Sequence, residues 1–191
     1  MLWFIDTSSL VTLAADDALR AAIERELGHQ RRVLLDVVVD ELEFLAAGNG
    51  DARGLAAAAL EQLAWLGEPV DTADLTDSQQ VLAIQEVVRG GRPLKHEREH
   101  WAESMIMNMS ERLTLVRPQI LTEDHGVRVE SLNHGLTPFS VHKLLSTMVR
   151  SGRLDAGDAV AYADSLKASG RGQSYTAQDF MTGRLRRVGH P

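Results

Sequence analysis

Three times along this chain a short apolar run ends on an acidic residue and gives way to a helical pattern. Leu2–Asp6 (LWFID) leads into Leu10, Leu13 and Ala14, then into Leu19, Ala22, Ile23 and Glu26 in amphipathic register. Val33–Asp36 (VLLD) leads into VVVDELEFLAAGNG, which reads as a helix stopped by its glycines. Gln119–Leu121 reaches Thr122 and Asp124 in QILTEDHG and passes into a helix ending near Gly135. Short runs without polar alternation suit strands covered on both faces, and strands alternating with helices imply right-handed crossovers and a parallel sheet. The expected fold class is therefore α/β, with a central parallel sheet flanked by helices. In such sheets sites form at the carboxyl ends of the strands, the edge where Asp6 and Asp124 fall.

Between these units the pattern is mostly helical. Asp51–Leu66 is rich in Ala and Leu and predicts one helix, ended by Gly67 and Pro69, with a short strand near Val70. Leu75–Arg89 carries Leu75, Leu82, Ile84 and Val88 in helical register before the breaker GGRP. A further helix is expected from about Glu97, with Ala102, Met105, Ile106 and Met109 forming a core face. Thr137–Ser140 predicts an edge strand, and Val141–Arg150 and Asp155–Ala168 two closing helices around a Ser151-Gly152 turn. From Ser169 the chain is expected to run loose. With 191 residues and 44% hydrophobic content, one full core is expected, carried by residues 1–150, with a helical extension and basic tail over 151–191.

Several function classes drop out. The chain has no cysteine, so disulfides, thiolate metal sites and cysteine nucleophiles are absent. No basic leader precedes an apolar stretch and no window approaches ~18 apolar residues, so a cytoplasmic protein that neither is exported nor spans a membrane is expected. Ser8 and Ser9 lie in no G-x-S-x-G elbow, and no G-x-x-x-x-G-K-[ST] loop occurs. His96 and His100 are spaced i, i+4 without the Glu of H-E-x-x-H, and the seven histidines read as surface residues. Met105, Met107 and Met109 read as core filler, Trp65 and Trp101 as structural. The net charge of −7 argues against a general affinity for nucleic acid, although Arg92, Lys95, Arg98, Arg128 and the Arg184, Arg186, Arg187 cluster are local candidates for phosphate contacts.

The acids and their neighbours carry a more specific signal. Asp6 with Ser8 at the end of the first strand, Glu41 ahead of Leu on the following helix, Glu103 in HWAESMIM, and Thr122 with Asp124 in ILTEDHGVR come in a definite order. In this order, and in the closing stretch ESLNHGLTPFSVHKLLSTMVRSGRL, the chain resembles the PIN-domain family of metal-dependent ribonucleases, which includes the toxins of many toxin–antitoxin pairs. The likeness spans roughly residues 1–150. It implies a three-layer PIN-like fold, with Asp6, Glu41, Glu103 and Asp124 as metal ligands and catalytic residues and Ser8 and Thr122 in support. It also implies an RNA substrate, an antitoxin protein as partner, and a homodimer. Many family members carry Asp at the third position, where Glu97, Glu99 and Glu111 are rivals to Glu103.

Such a set has a chemical rationale. Converging carboxylates repel one another, and burial raises their pKa further, unless a divalent cation supplies the opposing charge. All-oxygen ligands favour Mg²⁺ or Mn²⁺ over zinc, and such ions activate water for hydrolysis of a phosphodiester. Taken singly, each acid has a plainer role. Asp6 and Asp124 are ordinary helix caps, and Glu41 and Glu103 ordinary solvated helix residues. The sequence thus predicts a metal-dependent endoribonuclease. The alternative is a PIN-like RNA- or protein-binding regulatory module without strong catalysis, and a DNA-directed nuclease is a third reading.

Overall fold

A computed structural model describes residues 1–93, 98–113 and 117–185. Its centre is a four-stranded, all-parallel sheet of β1 (Leu2–Ile5), β2 (Arg31–Val33), β3 (Gln119–Leu121) and β4 (Thr137–Phe139), in the order β2-β1-β3-β4. Trp3, Phe4 and Ile5 of β1 are buried, as a strand covered on both faces requires, which is why this run shows no polar alternation. Phe4 lies opposite Val33 on one side and Ile120 on the other, and Ile5 opposite Leu121. This register brings the residues after β1 and β3, Asp6 and Thr122, to one edge. The fold is α/β, and helices flanking a central parallel sheet are consistent with a three-layer PIN-like arrangement.

The helices are α1 (Thr7–Leu13), α2 (Asp17–Leu27), α3 (Asp36–Ala47), α4 (Arg53–Glu61), α5 (Ser78–Arg89), α6 (Trp101–Ser110), α7 (His125–Asn133), α8 (Val141–Arg150), α9 (Ala156–Ala168) and α10 (Ala177–Thr182). Side-chain caps set many of their starts: Asp6 accepts from the Ser9 amide, Asp16 from Leu19, Asp124 from Val127 and Ser140 from Lys143. The predicted helix over Leu75–Arg89 begins later, at Ser78, because the Asp77 carboxylate accepts from the Gln79 and Gln80 amides, and it ends at Gly90 in the left-handed region at φ 60°. The predicted single helix over Asp51–Leu66 is broken at Gln62 into α4 and a 3₁₀ turn over Leu63–Leu66. Val70 forms one parallel bridge to Leu35 where a short strand was expected, its amide donating to the Leu34 carbonyl at 2.9 Å.

Helix α6 departs furthest from its expected one-sided pattern. Ala102, Met105 and Ile106 are buried as predicted, but so are Glu103, Ser104, Met107 and Asn108, so core surrounds nearly the whole helix. Ser104 and Asn108 find partners inside. Ser104 Oγ donates to the His100 carbonyl at 2.7 Å, and Asn108 donates to Gln80 Oε1 at 2.7 Å while accepting from the Asp77 amide. The expected start of this helix at Glu97 lies outside the described residues.

Two expectations need correction. The chain does not run loose from Ser169: Thr176 and Asp179 form a reciprocal capping box at the start of α10, Phe180 is fully buried, and Ser146 Oγ of α8 donates to the Phe180 carbonyl at 2.7 Å. Tyr175 packs between His142, at a tilt, and Phe180, edge-on, with ring centroids 5.0 and 5.5 Å away. The reading failed because only two aromatic residues, too few to show a period, anchor this segment. Phe180→Ala is expected to cost about 3–5 kcal/mol and lower Tm by roughly 10 °C; an unchanged Tm would mean that the segment is not docked. The histidines, likewise, are not all at the surface. His100 and His142 are buried, and burial, helped by the charge of Arg128, pushes the His142 imidazole down to about 4. His96, Arg186 and Arg187 lie outside the described residues. Among the described residues, no helix is long and apolar enough to cross a membrane.

Candidate metal centre

The acids singled out in the sequence gather at the carboxyl edge of the sheet. Asp6 leaves β1 with its amide donating to the Leu121 carbonyl at 3.1 Å, and Thr122 leaves β3 with its amide donating to the Phe139 carbonyl at 2.8 Å. The two residues are thus extensions of neighbouring strands. Ser8 ties them together. Its hydroxyl lies 3.0 Å from both carboxylate oxygens of Asp6, to which it donates, and accepts from the Glu123 amide at 2.9 Å. The Thr122 hydroxyl accepts from the Asp124 amide at 3.3 Å and donates toward Asp6. Both supporting hydroxyls therefore connect the β1 end to the β3 end.

Asp6 is fully buried. Burial pushes its carboxyl up to about 6, against hydrogen bonds from Thr122, the Ser9 amide and Ser8 that favour the charged form. Its capping role is also real, with the Ser9 amide 2.8 Å from Oδ1. Glu41 projects from α3 and accepts from the Thr7 hydroxyl at 2.7 Å. Burial pushes it up to about 7, the Asp6 charge adds to the rise, and Thr7 and Arg98 oppose it. Glu103, in the first turn of α6, is only 5% exposed, and its Oε2 has no hydrogen-bond partner among the described residues. Burial holds it well above the usual carboxylate range, and the charges of Glu41, Asp6 and Asp124 push in the same direction. Asp124 caps α7, its Oδ1 2.9 Å from the Val127 amide. These charges act on one another, so the four acids share one electrostatic environment.

Of the rivals for the third acid, Glu99 adds its charge to the rise of Glu41, while Glu111 sits apart. Glu111 lies at the far end of α6, its carboxylate 2.7 Å from His134 Nδ1. Glu99 is half-buried beside His100, with a nitrogen–oxygen separation of 3.9 Å, and Glu97 lies outside the described residues. Of the basic candidates, Arg98 acts electrostatically on Glu41, and Arg128 donates to the Thr122 carbonyl at 3.0 Å. Arg92 donates to the Arg89 carbonyl and is exposed, as is Arg184, and Lys95 is outside the described residues. Sequence reasoning missed Thr7, whose hydroxyl beside Asp6 was the available signal. It also missed Glu123, whose Oε1 accepts from the Val141 amide at the start of α8 at 2.6 Å.

Among the described residues, no three acidic or histidine side chains stand together in ligand positions around one point. Asp6 and Glu41 are instead engaged by the Ser8 and Thr7 hydroxyls at the start of α1. The donor chemistry nevertheless suits a hard divalent cation, since the groups are carboxylate oxygens and one of them, Glu103 Oε2, is buried without a partner. A buried carboxylate oxygen left without a donor is costly, and a cation is the kind of partner that would relieve it. The chain matches no protein-family model, no curated protein and no solved structure.

Proposed function

We propose that this protein is a Mg²⁺- or Mn²⁺-dependent endoribonuclease of PIN-like type. The observation that carries this reading is the unpartnered oxygen of Glu103, buried in α6 where it feels the charges of Glu41, Asp6 and Asp124. A core helix surrounded by apolar contacts gains nothing in stability from such a group, whereas a bound cation would give it a partner. Asp6, Glu41, Glu103 and Asp124 would hold the ion. When bound, such an ion supplies charge stabilisation for phosphodiester hydrolysis and lowers the pKa of a coordinated water. Ser8 and Thr122 keep the Asp6 carboxylate oriented toward the strand edge, and Thr7 fixes Glu41, so the acids enter the reaction already positioned. Arg98 and Arg128 flank the acids and offset their charge toward an incoming phosphate.

The test is cleavage of a labelled single-stranded RNA with Mg²⁺ or Mn²⁺ added and with a chelator. Cleavage that appears with the metal and disappears with the chelator is expected, whereas cleavage persisting in the chelator would exclude the metal mechanism. A second reading is favoured by one observation, the lack of three acids already in ligand positions among the described residues. On that reading the chain is a PIN-like RNA- or protein-binding regulatory module, and RNA would bind without being cut under any divalent cation.

A further inference from the structure

A pocket of ≈260 Å³ opens between α3 and α6 directly beside Glu41. It is smaller than the ~300–1,000 Å³ of sites for drug-sized molecules, a size that suits a single ring system. Val37, Asp40 and Glu41 form one wall, at i, i+3 and i+4 on one face of α3. Arg98, Trp101 and Ala102 form the other. Between Arg98 and Trp101 the chain turns through His100 at φ 62°, the one non-glycine residue with positive φ among those described. Such a conformation costs a bulky residue about 1–3 kcal/mol and persists only where the surroundings impose it. Here it brings Arg98 and Trp101 to the same cavity. Arg98 is tethered to α3, its Nη1 3.2 Å from the Asp40 carbonyl and 3.9 Å from the Asp40 carboxylate, and half of its side chain remains exposed.

We propose that this pocket holds one unpaired nucleobase of an RNA chain. An aromatic wall and a guanidinium are the groups on which single-stranded bases stack, and the Asp40 carboxylate accepts from base N–H groups. Because Glu41 belongs both to this pocket and to the acid set, a base seated here leaves its adjoining phosphodiester beside the acids. That last step rests on the nuclease reading. The base-binding step does not, and the two are tested separately.

Binding is read in the Asp6→Asn background, where cleavage is disabled, by quenching of tryptophan fluorescence with a short single-stranded RNA and with an abasic ribose-phosphate oligomer of equal length. The RNA is expected to quench and the abasic oligomer to bind much more weakly. Trp101→Leu is expected to remove the quench and weaken binding about 5–100-fold, the size of one lost stacking contact. Arg98→Gln, a substitution at an exposed side chain, is expected to weaken binding in the same direction and guards against a folding defect in the Trp101 variant. RNA binding unchanged in both variants, abasic binding as tight as RNA, or no RNA binding at all would each overturn the proposal. Cleavage kinetics then separate the two readings. Cleavage by wild type with an unchanged KM in Trp101→Leu and Arg98→Gln would sink the base pocket alone, while base-dependent quenching without any cleavage would sink the nuclease and support the pocket.

Discussion

Asp6→Asn is expected to reduce RNA cleavage by at least ~100-fold while the protein stays folded. The activity loss follows from removing one charged ligand, because charge stabilisation by a bound ion is worth several kcal/mol and every ~1.4 kcal/mol is tenfold in rate. Retention of the fold follows from the local geometry. Asn caps helices about as well as Asp, and its amide oxygen can take over the Ser9 amide that Asp6 Oδ1 now accepts at 2.8 Å. Burial already pushes the Asp6 carboxyl up to about 6, so a neutral amide costs less in that position than a carboxylate does. The cation-free variant is therefore expected to melt at or slightly above the wild-type temperature. Initial rates with labelled RNA, taken alongside melting curves, check both halves. A variant retaining activity within about threefold would leave Asp6 as a helix cap and nothing more.

The second large effect couples pH to the cation. Glu41 titrates near 7 in the folded protein and Glu103 well above its ordinary range, whereas in the unfolded chain both titrate near 4.3. Across the interval from about pH 4 to their folded values, the native state holds protons that the unfolded state has released. Stability without cation therefore falls as pH rises and levels off above the folded pKa values. His142, pushed down to about 4, works the other way, costing stability as pH falls below about 6.5. Between pH 6.5 and pH 8.5 His142 stays neutral in the folded protein and loses its remaining half-charge in the unfolded chain, which offsets only about 0.4 kcal/mol of the acids' effect. Over that interval Glu41 alone accounts for on the order of 1 kcal/mol, and Glu103 adds in the same direction. At ~2–4 °C per kcal/mol for a chain of this length, Tm in a chelator is expected to fall by at least ~1 °C. Mg²⁺ or Mn²⁺ should restore it at pH 8.5 and act less at pH 6.5, where protons compete for the same oxygens. A chelated Tm that is flat or rising over this interval would mean that the acids are not buried in charged form.

These effects show which parts of the site the amino-acid sequence makes legible. Asp6 with Ser8 and Thr122 with Asp124 stand out because each pair follows an uninterrupted apolar run, and parallel pairing of those runs must bring their ends to one edge. The same logic yields the sheet and most of the helices. Glu103 is different. Only one face of its helix shows an apolar period, and core closes around the others through tertiary packing of α5 and α3, which no local pattern encodes. Its burial, and the missing partner for its second oxygen, are visible only in three dimensions. Arg98 and Trp101 reach one pocket across a turn in which His100 adopts a left-handed conformation, which no apolar period announces. The docking of α10 escapes notice for the opposite reason: Tyr175 and Phe180 are too few to make a period, yet they fill a space left by α8.

The most direct measurement is anomalous diffraction from a crystal soaked in Mn²⁺ near pH 8. The expected result is a peak at the carboxyl edge of the sheet, bounded by Asp6 and Asp124, with Glu103 Oε2 turned onto it and the peak lost in Asp6→Asn. Native crystals that hold no manganese at that edge, with Glu103 still unpartnered in the core, would contradict it.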